Sequence, residues 1–150
     1  MIDRFEQFSS SIFGISKYIQ KIERDEMARY GLKGPHAQCL ISVGRFPEGI
    51  TVSRLCELCD KDKAAISRTV AELEQKNLIK RITVSDNRYR APLLLTEEGK
   101  EVAENVCILV ERAVELAGSG LDDDGRKIFY ASLNLIAANL KNISQGGIPR

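Results

Sequence analysis

Between Thr51 and Leu95 the hydrophobic pattern passes from helical to strand spacing within 45 residues, and few architectures tolerate that switch. Val52, Leu55, Cys56 and Cys59 recur at helical spacing. After only Asp60-Lys61-Asp62 the spacing resumes with Ile66, Val70 and Leu73. Thr51 can cap the first of these helices, Val52 to Cys59, because a short side-chain oxygen accepts a free N–H of the first turn. Asp60 or Asp62 can do the same for the second, which runs to about Lys76, and Asn77 suits a left-handed cap at its end. Leu78 to Val84 and Ala91 to Leu95 then read as two strands, joined by the polar loop Ser85 to Arg90. A lone hairpin is marginal in water and must lean on the helix pair beside it.

Longer helices flank this centre. Phe5, Phe8, Ile12, Ile15, Ile19, Ile22 and Met27 predict one helix from Phe5 to Arg29, broken by Gly31, Gly34 and Pro35. Pro35 suits the first turn of a second helix ending near Phe46. Thr96, followed by Glu97 and Glu98, starts a helix to about Leu116. Asp122 to Asp124 start a last one to about Asn142. The predicted class is mainly α with a small β-hairpin wing (α+β), forming one domain over residues 1–150. Two short helices with a tight turn and a hairpin are the parts of a winged helix-turn-helix, whose second helix enters a DNA major groove. Residues 33–95 are its expected extent. The first and last helices, 1–30 and 96–145, carry broad apolar faces with few partners in so small a chain, which predicts a homodimer.

The second helix of the motif splits into two faces. Ile66, Val70 and Leu73 should pack on Leu55 and Leu58, while Lys63, Ala64, Ser67, Arg68 and Ala71 face away. Small side chains allow close approach to base edges, and a hydroxyl and a guanidinium there can meet phosphates or base acceptors. A merely solvated helix is the plain alternative. In the hairpin loop Arg88 and Arg90, beside Asp86 and Asn87, have the reach to enter a minor groove. The net charge of +1 hides a gradient. Thr51 to Leu95 holds nine Lys or Arg against six Asp or Glu, a balance of +3, whereas Thr96 to Arg150 holds six against nine, a balance of −3. A basic centre beside an acidic tail fits double-stranded DNA as partner and a separate assembly surface.

The blocks Thr51-Val52-Ser53-Arg54-Leu55-Cys56-Glu57-Leu58, Ala65-Ile66-Ser67-Arg68-Thr69-Val70-Ala71-Glu72-Leu73-Glu74, Asn77-Leu78-Ile79-Lys80-Arg81, Asp86-Asn87-Arg88 and Leu93-Leu94-Leu95-Thr96-Glu97-Glu98-Gly99, at this spacing, resemble the MarR-like (multiple antibiotic resistance regulator) transcription factors. The resemblance runs from about Gly31 to Gly99. It implies a homodimer with interleaved terminal helices, two reading heads on a pseudo-palindromic operator, repression as the default, and often release by a small-molecule effector or oxidant. By position, Ser67 and Arg68 match recognition-helix contacts, Arg88 the wing arginine, and Arg54 and Lys63 phosphate contacts. The resemblance also places an effector pocket near His36, with Tyr18 and Arg45 as further candidates. Two departures stand out. Asn77 replaces the usual glycine, and Pro92 opens the second wing strand, where it should sit on an edge or at a non-bonded position.

Other chemistries find less footing. Cys56 and Cys59 lie on the apolar face of a short helix without a second ligand pair at zinc-finger spacing, so no metal is expected. Core filling explains them and Cys39 better, and Cys107 is the expected accessible thiol. The first helix lacks the cysteine of the hydroperoxide-sensing branch, so no peroxide switch is expected. With His36 as the only histidine, and no glycine-rich phosphate loop, metal-ligating His pair or nucleophile-elbow serine, an enzyme is not expected, nor a cofactor. His36 itself reads as a cap or surface residue. No apolar run approaches the roughly 18 residues of a membrane span, so the expectation is a cytoplasmic protein with no membrane contact. The competing reading is a winged-helix protein-interaction module that does not bind DNA. Lys63, Arg68 and Arg88 weigh against it, since such a descendant would be free to lose them.

Overall fold

The structure is a computed structural model that describes residues 2–82 and 90–150. The chain forms two compact units, residues 1–109 and 110–150.

The first unit begins with α1 (Ile2–Ala28), which lies against α2 (Gly34–Gly44). Met27 and Leu32 are buried at that junction, while the upstream apolar residues of α1, from Phe5 to Ile22, remain exposed. Then come α3 (Val52–Cys59) and α4 (Lys63–Gln75). The Thr51 side chain accepts the Arg54 N–H at 3.3 Å, and the Asp62 carboxylate accepts the Ala65 N–H at 2.8 Å. Asp62 rather than Asp60 is therefore the α4 cap. Asp60 instead ends α3 in the left-handed region, at φ 49°. Asn77 does the same after α4, at φ 57°.

Strands β1 (Ile79–Arg81) and β2 (Leu93–Leu95) pair antiparallel, Lys80 opposite Leu94. They are shorter than the predicted strands, and Val84 lies outside the described residues. Ile50 adds a bridge on the other side of β2, exchanging both backbone hydrogen bonds with Leu93 at 3.1 and 2.8 Å. Pro92 occupies a bonded position, contrary to expectation. Its carbonyl accepts the Ile82 N–H at 2.9 Å, and because proline has no N–H to return, regular pairing begins only at Leu93.

The core of this unit is formed by Leu40, Leu55, Val70, Leu73 and Leu93, all fully buried, with Ile66, Val43 and Val106 around them. Burying side chains of this size contributes roughly 1.5–3 kcal/mol each. Leu58 is a correction: it is 37% exposed, and Cys59 takes the inward position of the last turn of α3. At 100° per residue Val52, Leu55 and Cys59 share one stripe, and Leu58 falls at its edge.

Helix α5 (Glu97–Ala117) begins against the hairpin base. The Thr96 hydroxyl accepts the Gly99 N–H at 2.9 Å and donates to the Asn77 carbonyl at 2.7 Å. Gly99 lies so close to Leu78 that a Cβ there would fall 1.9 Å from the Leu78 carbonyl oxygen. In the second unit α6 (Asp123–Gly146) starts from Asp122, whose carboxylate accepts the Gly125 N–H at 2.7 Å. It outlasts the predicted end at Asn142. No residue of α6 is buried, and Ile128, Leu135, Ile136, Leu140 and Ile143 are exposed.

Candidate nucleic-acid interface

The outer face of α4 owes its composition to what the inner face consumes. Ile66, Val70 and Leu73 are 2% exposed or less and use up the apolar stripe. Lys63, Ala64, Arg68 and Ala71 project outward and exposed, with Ser67 half-buried at their centre. The two sets occupy separate arcs, because successive residues turn about 100°. The N-terminal end of such a helix carries partial positive charge, so Lys63 adds to a field that already favours anions. Among the described residues Arg68 has no ion-pair partner, which leaves its guanidinium donors available to a phosphate or a base edge.

Arg54 sits exposed on α3 and is held by Glu57 at 2.8 Å, an i,i+3 pair that DNA phosphate would have to compete with. Arg90 is exposed on the return side of the hairpin. Asn87 and Arg88 lie outside the described residues.

Two acidic residues in the second half of α4 are paired with neighbouring elements. Glu74 accepts from Arg81 of β1 at 2.9 Å, with both side chains more than four-fifths buried. Glu72 receives Lys33 Nζ on one oxygen at 3.0 Å and contacts His36 Nε2 with the other at 2.7 Å. Together they place no uncompensated carboxylate on the second half of the helix. Sequence reasoning missed both pairings. The partners of Glu72 are 36 and 39 residues away, so no local spacing signals them, and only the pairing of β1 with its surroundings brings Arg81 back to Glu74.

Tyr18, His36 and Arg45 are carried by α1 and by the two ends of α2. Tyr18 is exposed on α1, and Arg45 follows the last residue of α2. His36 lies in the first turn of the same helix, nine residues earlier or roughly 13 Å along the axis. Of the two expected roles it takes the cap and not the surface one: it is 1% exposed, its Nδ1 accepts the Lys33 backbone N–H at 3.0 Å, and its Nε2 faces Glu72. Both ring nitrogens are thus engaged within the chain. Cys39 and Cys59 are buried in the core, and burial pushes the Cys39 thiol up to about 12. Cys56 and Cys107 are half-buried. Among the described residues no cluster of His, Cys, Asp and Glu could hold a metal ion. Nor is any described helix long and apolar enough to cross a membrane.

The sequence model of the MarR family matches residues 30–88, the span from the end of α1 through the helix-turn-helix into the hairpin. Over that span the chain resembles the MarR family. Solved structures agree in fold well beyond that span. The transcriptional regulator SlyA superposes with a TM-score of 0.80 at 22% identity, covering 89% of this chain and 93% of its own. MepR of S. aureus in complex with DNA gives 0.80 at 18% identity, covering 89% and 96%. A structure described as a MarR-family transcriptional regulator from Listeria monocytogenes with a 26mer DNA gives 0.79 at 19% identity, covering 94% and 96%. At these identities the likeness is one of fold. No curated protein matches the chain. In that fold the β1–β2 hairpin stands where the wing lies, and α4 is the second helix of the helix-turn-helix.

Proposed function

We propose that this MarR-like chain is a sequence-specific DNA-binding transcriptional regulator, acting as a repressor on a pseudo-palindromic operator. The observation that carries this reading is the outer face of α4: Lys63, Ala64, Ser67, Arg68 and Ala71 project from a helix whose inner stripe is completely buried. Arg68 and Ser67 are assigned to base edges or phosphates, Lys63 and Arg54 to phosphates, and Asn87, Arg88 and Arg90 to the wing contact. Residues 33–95 form the DNA-binding part of a single domain, and 1–30 with 96–145 assemble a homodimer. Support for the dimer comes from Phe5, Phe13, Ile128 and Leu135, each more than 60% exposed, apolar surface that water disfavours and a second copy would cover. A small-molecule effector that releases DNA belongs to the same reading, as does a cytoplasmic location.

The test is a binding titration against the DNA flanking the chain's own gene at two salt concentrations, for the native chain, Arg68→Ala and Arg88→Ala. The expected result is salt-sensitive binding that each substitution weakens, with the salt slope falling by about one for each phosphate no longer neutralised. A folded chain that binds no duplex at either salt concentration would transfer the assignment to a protein-interaction module.

A further inference from the structure

Besides its buried stripe and the Glu74–Arg81 pair, α4 is tied to the start of α2 by an interaction that no neighbouring sequence supplies. The Glu72 carboxylate bridges two groups at the start of α2, Lys33 Nζ at 3.0 Å and His36 Nε2 at 2.7 Å. His36 is itself immobilised. It is 1% exposed, and the Lys33 backbone N–H donates to its Nδ1 at 3.0 Å. A nitrogen that accepts a backbone N–H carries no proton, so the ring proton is on Nε2 and is donated to Glu72. The bond is thereby directional, charge-assisted and largely shielded from water on the histidine side.

Glu72 lies one turn beyond Arg68, on nearly the same side of α4. Holding Glu72 therefore restrains, on the side that carries Arg68, the rotation that the buried stripe leaves to α4. A rotation of α4 by about 20° would carry a side-chain tip at the roughly 6 Å helix radius through about 2 Å. That displacement is enough to abolish a hydrogen bond to a base edge. Attraction to phosphates, which tolerates longer and less directional geometry, would survive it.

We propose that Glu72 and His36 are positioning residues that set sequence discrimination by fixing the rotation of the recognition helix, without touching DNA. The assignment rests on the DNA-binding function proposed above. Its signature is separable from a change in charge and from a loss of folding. Removing a carboxylate cannot weaken the attraction to phosphates, so non-specific affinity should hold or rise while specific affinity falls.

The experiment uses two duplexes: one enriched by the native full-length chain from a random pool, and a scrambled duplex of the same composition. Glu72→Ala is expected to lower affinity for the enriched duplex about tenfold, the order of the discrimination one bidentate base pairing supplies, with affinity for the scrambled duplex unchanged or increased. Glu72→Gln loses the same charge but keeps an oxygen for the His36 Nε2–H, and is expected to restore most of the discrimination. Thermal melting of both variants accompanies the titrations. A native ratio of affinities in Glu72→Ala would overturn the proposal, and so would a proportional fall on both duplexes. An equal loss in Glu72→Gln would overturn the assignment to the His36 bond. Failure of the native chain to enrich any duplex would instead overturn the DNA-binding reading, and the inference with it.

Discussion

Replacing Gly99 by alanine should damage this protein more than its small size suggests. The added Cβ would sit 1.9 Å from the Leu78 carbonyl oxygen and 2.9 Å from its carbon, both backbone atoms, so no side chain can swing aside. Reaching even the 3.0 Å that Cβ atoms essentially never undercut requires a shift of at least 1.1 Å. Two hydrogen bonds fasten the same junction, Thr96 N–H to Leu78 at 3.1 Å and the Thr96 hydroxyl to Asn77 at 2.7 Å. Lengthening either by that amount removes it, at about 1 kcal/mol each. Overpacking adds about 1–3 kcal/mol, and alanine's better helix propensity returns at most about 1 kcal/mol. The expected net loss is about 2–4 kcal/mol, or a thermal midpoint roughly 4–16 °C lower for a chain of this size. Urea and thermal unfolding followed by circular dichroism, at one fixed protein concentration, provide the measurement. Gly146→Ala serves as the reference, since an added Cβ there meets nothing within 4 Å and should leave the midpoint in place. A Gly99→Ala midpoint equal to the native one would refute the close approach of α5 to the hairpin base.

Three further outcomes are expected. Removing the α4 cap with Asp62→Ala should destabilise the chain by about 1 kcal/mol, read as a lower urea midpoint. The bond from Lys33, and after it that from His36, holds the Glu72 carboxyl below its ordinary value of 4.5. Its contribution is therefore present above that value and lost as pH falls through the lower folded one, so Glu72→Gln should flatten this part of the acid limb when urea midpoints are compared from pH 7 to pH 3. With its thiol pushed up to about 12, Cys39 should resist a thiol reagent at pH 8 until the chain unfolds, while Cys107→Ser should abolish the fastest labelling phase.

Helix boundaries were legible wherever a side chain does the capping locally. Thr51, Asp62 and Asp122 each meet an N–H three residues on, and each fixes a helix start within the span that a reading of the sequence covers. The inner and outer faces of α4 followed from periodicity for the same reason. Leu58 was misjudged because an apolar residue at the edge of a stripe counts the same as one at its centre until the packing partner is known. The wing strands came out shorter because Pro92 withholds a donor at the position where pairing would otherwise start. His36 caps the start of α2, a role its place beside Pro35 suggests, but its pairing with Glu72, 36 residues later, leaves no periodic trace.

The helix-turn-helix core closes on Leu40, Leu55, Val70, Leu73 and Leu93, with no contribution from Lys63, Ala64, Arg68 or Ala71. Structure and message are thus written on disjoint positions of a single 13-residue helix. Substitutions on the outer set carry little folding penalty, so the surface can be rewritten while the scaffold stays constant. For protein engineering, those four sites together with Ser67 define a compact library in which every member should fold and differ only in the surface it presents, which on the proposed function is the surface that meets DNA.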